Sequence, residues 1–306
     1  MSRPLPLLLI ALFLSTLLSA DEDWQKLPQT KITPSIESKI DAFPDLTYAT
    51  YGDRELKLDL YRPEGAVEKL PGIVCIHGGA WWKGERRNHA HIAKALAARG
   101  FVAVTISYRL SGEQPFPAQI EDCKAAVRWM RANADTYGID ADFIGATGSS
   151  AGGHLANLLA TSGGVSELEG EGGNADFSST VQAAAPMGAQ SDLETERIRL
   201  RSLDPKAAFY PQFLGGTQED VPGTYQLASP RHHLDAGDPP IFYLTGELDD
   251  PSTHADEVRR EMENLGIPTG LHILKGAPHP FLTKQKFFDE GLDLLDDLFT
   301  THLKSR

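Results

Sequence analysis

Residues 148–152 read Gly148-Ser149-Ser150-Ala151-Gly152. A glycine two positions to either side of a serine suits a turn sharp enough to hold the hydroxyl clear, because neighbouring backbone can pack there without meeting a side chain. Ser150 is the candidate nucleophile, and Ser149 is the neighbour that shapes the turn. A serine nucleophile needs a base, an acid to orient the base, and donors for a developing oxyanion. His279, in Gly276-Ala277-Pro278-His279-Pro280-Phe281, stands on a loop whose direction two prolines fix, which suits a general base. The acid is expected in Gly246-Glu247-Leu248-Asp249-Asp250-Pro251. Either aspartate could orient His279; the spacing of three from Gly246 favours Asp249, with Asp250 as the alternative, and the unused one would serve as a turn or capping carboxylate. Upstream, His77-Gly78-Gly79-Ala80-Trp81-Trp82 carries small residues whose N–H groups can turn inward. Gly79, Ala80 and Ala151 are the candidate oxyanion donors. His77 precedes the serine, whereas the order serine, acid, histidine puts the base after it, so His77 is expected to brace its loop through its ring.

The other histidines have weaker settings. His89, His91, His254 and His302 fall in helical or polar surroundings and are expected at solvated surface, and His272 lies in a strand. His154 is one turn into the helix after the serine. His232 and His233 sit in a long irregular stretch where they could touch a ligand.

These groups need a scaffold, and the apolar pattern supplies one. Residues 46–51 and 56–61 alternate around a Gly52-Asp53 turn, predicting an antiparallel hairpin. Short continuous apolar runs at 72–76, 101–106, 143–147, 181–187, 241–245 and 271–274 read as strands covered on both faces. Helical spacing recurs between them at 92–99, 118–133, from Ala151, at 258–265 and at 281–303. Strands alternating with helices predict an α/β fold with a mostly parallel sheet, helices on both faces and an antiparallel leading edge. The serine turn would then join a strand to a helix, whose first N–H groups are aimed at the reacting oxygen. Residues 161–180 read as a solvated loop. Residues 191–238, with four prolines and several aromatics, read as a lid-like insertion.

The chain has 306 residues, 42 acidic and 29 basic, for a net charge of −13. That balance argues against nucleic acid as a partner, since such affinity comes from basic side chains neutralising phosphates, and against a polybasic membrane surface protein. Arg3, an apolar run over 5–14, and small residues up to Ala20 are the pattern of an export signal over residues 1–20, cleaved after Ala20. The other reading is an uncleaved N-terminal anchor. A secreted or periplasmic chain is expected, with no stable membrane partner. A polar lead would follow over 21–43 and one domain over 44–306. Cys75 and Cys123 are expected to be small buried hydrophobes without a bridge. No cysteine–histidine cluster has metal-ligand spacing, so no metal and no cofactor are expected.

The chain resembles the α/β-hydrolase superfamily, in its esterase and lipase branches. Ser107-Tyr108-Arg109-Leu110, Pro115-Phe116-Pro117-Ala118, Glu121-Asp122 and the Gly148–Gly153 run are similar to hormone-sensitive-lipase-like esterases. The His-Gly-Gly-Ala-Trp of residues 77–81 departs from that branch, which has a third glycine. It resembles instead exported bacterial carbohydrate and feruloyl esterases, and the segment around His279 is similar to acetylesterases acting on pectin-like polysaccharides. The resemblance implies a serine ester hydrolase with Ser150, Asp249 and His279 as triad, acting on small-molecule or polysaccharide esters. Trp81 and Trp82 could then floor an acyl pocket or stack on a sugar, or be plain core. Lys83, Arg86 and Arg87 could bring positive charge to its mouth, suiting an acidic polysaccharide. A serine peptidase or a lipase on the same fold, and a non-catalytic binding protein, are the competing readings.

Overall fold

The computed structural model describes residues 24–304. The expected signal over 1–20 and the first residues of the polar lead lie outside the described residues.

The leading hairpin forms as its alternation predicts. Strand β1 (Ile40–Tyr51) pairs antiparallel with β2 (Arg54–Pro63), closing at Tyr51 opposite Arg54. β1 starts inside the stretch expected to be irregular, which also holds a single helical turn, α1 (Pro34–Glu37). The remaining strands are β3 (Leu70–Ile76), β4 (Val102–Ile106), β5 (Ile139–Ser149), β6 (Ala183–Met187), β7 (Ile241–Gly246) and β8 (Thr269–Leu274). They form one sheet in the order β1-β2-β4-β3-β5-β6-β7-β8. β2 meets β4 antiparallel, and every pairing from β4 through β8 is parallel.

Successive side chains of a strand point to opposite faces, and the core divides accordingly. Val74, Ile76, Val104 and Ala184 face the layer of α3 (Ala118–Ala132), α5 (Ala151–Thr161) and α9 (Asp256–Leu265). Ile73, Cys75, Ala103 and Ala185 face α2 (Ala90–Ala97) and α10 (Gln285–Leu303). Both cysteines are buried and free. A short helix, α4 (Ala134–Tyr137), ends on Gly138 in the left-handed conformation and leads into β5.

The insertion is not irregular. It folds into α6 (Glu196–Ser202), α7 (Phe209–Leu214) and α8 (Pro222–Leu227), and it buries Ile198, Tyr210, Phe213, Leu214 and Tyr225 in the main core. Short helices broken by prolines give too little periodicity to be read from sequence, which is why this stretch reads as loop. Among the described residues, no helix is long and apolar enough to cross a membrane.

Candidate active site

β5 ends at Ser149 and α5 begins at Ala151, so Ser150 alone makes the turn between them. Its backbone sits at φ 57°, ψ −120°, a sparsely populated region for a residue with a side chain. The chain tolerates this because the ends are tied: Ser150 N–H donates to the Met187 carbonyl at 2.8 Å, and its own carbonyl accepts from His154 N–H at 2.9 Å. The flanking glycines are required by approach distance. A Cβ on Gly148 would stand 2.5 Å from the Ile76 carbonyl oxygen, and one on Gly152 would overlap that same oxygen.

The second element is the loop after β3. Gly79, Ala80 and Trp81 take positive φ values of 117°, 51° and 61° in succession. Three such residues curl the backbone, and Ala80 takes a positive φ although it carries a side chain. Among the described residues, neither the Ala80 nor the Ala151 N–H donates to a backbone carbonyl. For Ala151 this follows from its place at the start of α5, where N–H groups lack intrahelical partners. Ala80, Ala151 and Ser150 line one cavity of about 240 Å³; Gly79 does not reach its wall.

His279 and Asp249 line the same cavity. The His279 Nδ1 donates to Asp249 Oδ2 at 2.7 Å, leaving Nε2 as the basic nitrogen of a neutral ring. The Asp249 side chain is 4 % exposed and that of His279 44 %, so the carboxylate is covered while the imidazole faces the cavity. The Asp250 N–H donates to Asp249 Oδ1 at 2.7 Å, which fixes the second oxygen. Asp250 itself turns away from His279. Its carboxylate accepts from Ser252 N–H at 3.0 Å and Ser252 Oγ at 2.7 Å, and it pairs with Arg197. Of the two aspartates the sequence leaves open, the geometry brings Asp249 to the histidine and makes Asp250 a cap.

His77 is buried beneath its loop, as a brace. Its Nδ1 donates to the Gly78 carbonyl at 2.7 Å, its ring stacks on Tyr108 at 4.2 Å, and Tyr108 Oη donates to the His77 carbonyl. Burial pushes its pKa down to about 4.

Several expectations need correcting. Trp81 is buried and lines the cavity, but Trp82 is 50 % exposed and lies outside it. Lys83, Arg86 and Arg87 bring no charge to the cavity either. Arg86 is held by Asp59 at 2.7 Å and by Asp45, and Arg87 faces Glu85. His89 is buried rather than solvated, with Nε2 3.1 Å from Ser149 Oγ behind the serine turn, and His91 is half-buried beside Phe288. His232 and His233 do not reach the cavity.

The sequence reading missed what the insertion and α5 contribute. His154 is fully buried and lines the cavity, and Arg197, Arg201, Phe209 and Tyr210 of the insertion complete the wall. The only signal was the i, i+4 spacing of the arginines in Glu196-Arg197-Ile198-Arg199-Leu200-Arg201. Among the described residues, no group of three or more His, Cys, Asp or Glu side chains is arranged to hold a metal ion.

A parallel sheet led by an antiparallel hairpin, with a serine on a strained turn and a histidine–aspartate pair at the strand ends, defines the α/β-hydrolase fold. Residues 58–259 match the BD-FAE family, and the chain belongs to that family. Among curated relatives, it is 34 % identical over 244 residues to the esterase LipQ of Mycobacterium tuberculosis, covering 78 % of this chain and 56 % of LipQ. It is 36 % identical over 216 residues to the probable carboxylic ester hydrolase LipM of the same organism, covering 67 % of this chain and 47 % of LipM. The chain thus spans about half the length of these relatives. Among solved structures, a truncated carbohydrate esterase from gut microbiota superposes with a TM-score of 0.72 at 26 % identity, covering 85 % of this chain and 96 % of that one. The propionate-bound esterase 2 of the planctomycete Thermogutta terrifontis gives 0.71 at 26 %, covering 89 % and 98 %.

Proposed function

We propose that the protein is a carboxylesterase that removes short acyl groups, acetyl above all, from carbohydrate or small-molecule esters. The observation that carries this is the opening of Ser150, at its strained turn, onto the same cavity as the His279–Asp249 pair. The relatives named esterases, and the carbohydrate esterase among the structural neighbours, support the reaction and the substrate class.

In this reading Ser150 Oγ attacks the ester carbonyl while His279 Nε2 takes its proton, and Asp249 stabilises the imidazolium that forms. The N–H groups of Ala80 and Ala151 bind the tetrahedral oxyanion, with Gly79 shaping the loop behind them. His279 then returns the proton to the leaving alcohol, and water releases the acyl group by the reverse path. No step requires a metal or an organic cofactor. Trp81, Phe209 and Tyr210 give the cavity, of about 240 Å³, an aromatic wall against which an acyl group can pack.

Export belongs to the same proposal, on the pattern of residues 1–20, and mass spectrometry of the processed protein should find Asp21 as its first residue. The activity is tested with 4-nitrophenyl acetate, butyrate and octanoate beside acetylated xylan. Falling kcat/KM from acetate to octanoate, with acetate released from the polymer, supports the reading. A preference for octanoate would favour a lipase, and hydrolysis of peptides but not esters would favour a peptidase.

A further inference from the structure

Arginines alternate along α6, at Arg197, Arg199 and Arg201. Residues four apart on a helix share a face and residues two apart do not, so the three divide into an inner pair and an outer one. Arg199 is the outer one, bound to Glu196 at 2.7 Å and to Glu219. Arg197 and Arg201 both line the cavity that holds Ser150 and His279. Arg197 is committed to Asp250. Among the described residues, Arg201 has no carboxylate within ion-pair distance and no hydrogen-bond acceptor, although its chain is acidic overall and its neighbours on α6 are both paired.

The formal charges lining the cavity balance, but their distribution does not. Asp249 is covered behind His279, and Asp250 is engaged by Arg197, so among the described residues Arg201 is the one charged side chain of the lining that no ion-pair partner holds. A planar, permanently charged fork suits a carboxylate, which it can grip through two hydrogen bonds. The position also identifies which part of a substrate would carry that carboxylate. His279 protonates the leaving oxygen, so the alcohol lies on its side of the cavity, and Arg197 is anchored to the residue next to the aspartate that holds His279. Arg201 follows one helical turn further along that wall.

We infer that Arg201 selects esters whose alcohol part carries a carboxylate, as an acylated uronic acid does. This rests on the esterase reading of the same cavity. The preference predicted from Lys83, Arg86 and Arg87 is thereby carried by different residues, since those three are occupied or point elsewhere.

The test uses 3-acetoxybenzoate and its methyl ester, which differ in the charge on the leaving alcohol. The readout is the ratio of kcat/KM for the anionic ester over the neutral one, in the wild type, Arg201→Gln and Arg201→Lys. Arg201→Gln should lower this ratio about tenfold, mostly through KM of the anionic ester, as expected for loss of a hydrogen bond to a charged group. Arg201→Lys should recover part of it. Raising salt from about 0.05 M to about 0.5 M should lower the wild-type ratio and leave that of Arg201→Gln nearly flat. An active enzyme whose ratio is the same in the wild type and Arg201→Gln overturns the inference and leaves the esterase reading standing. Turnover of neither ester by the wild type overturns the esterase reading, and the inference with it.

Discussion

Trp81 Nε1 donates to His154 Nδ1 across 3.3 Å, joining the loop after β3 to the helix that follows Ser150. The indole N–H can only donate, so the proton of the neutral imidazole sits on Nε2, which donates to the Ala228 carbonyl of the insertion at 2.8 Å. Trp81 in turn stacks on Phe213 of α7 at 4.3 Å, nearly parallel. One buried histidine thus ties together the three segments that wall the cavity.

His154→Leu should therefore damage stability and activity together. It leaves an indole N–H and a carbonyl buried without partners, at a cost of about 2–4 kcal/mol. The denaturant midpoint checks this, and an unchanged midpoint would contradict it. Turnover should fall as well, because Trp81 belongs to the loop whose Ala80 N–H is proposed to bind the oxyanion.

Asp249→Asn and Asp250→Asn should separate by orders of magnitude. Loss of the carboxylate that orients His279 should lower kcat about 10³- to 10⁴-fold. Asp250→Asn keeps an oxygen that can cap Ser252 and loses only the surface pair with Arg197, so it should cost at most about 1 kcal/mol of stability and keep turnover within about tenfold. Steady-state kinetics on one aryl acetate, with thermal melts of both variants, decides the matter.

Stability should fall as the solution is acidified below neutrality. Burial holds the His77 and His154 pKa values down to about 4, against an ordinary value near 6.5. Between those values the unfolded chain binds protons that the folded chain excludes. The contribution is therefore complete above about pH 6.5, falls away from there to about pH 4, and is constant below, amounting to roughly 1–3 kcal/mol per histidine. Melts from pH 7.5 to 4.5 test the direction, and His154→Gln should flatten part of the slope.

Gly152→Ala should fail by packing rather than chemistry. The added Cβ would overlap the Ile76 carbonyl, which is backbone and cannot swing aside. Destabilisation of about 3 kcal/mol or more is expected, read as loss of soluble protein or of the cooperative melt.

How much of this was legible in the sequence depended on whether the information was local. The serine turn could be read because strand, glycine spacing and helix are contiguous, and the buried strands because continuous apolar runs are unambiguous when turns bound them. The partner of His279 could only be narrowed to Asp249 or Asp250. Adjacent carboxylates differ in direction, and that direction is set by the Asp250 turn onto Ser252. The role of His154 was hidden because its partners lie 73 and 74 residues away. His89 looked like surface for the same reason: its charge type says solvent, while the packing of α2 under the serine turn says otherwise. The cavity arginines were overlooked because prolines break the insertion into helices too short to show a period.

The central claim is that Ser150 is the nucleophile of an ester hydrolase, and Ser150→Ala tests it most directly. Turnover of 4-nitrophenyl acetate should fall at least about 10⁴-fold, and labelling by a fluorescent organophosphate should disappear, while the melting temperature stays within a few degrees of the wild type. A folded Ser150→Ala variant that keeps wild-type turnover would contradict the account.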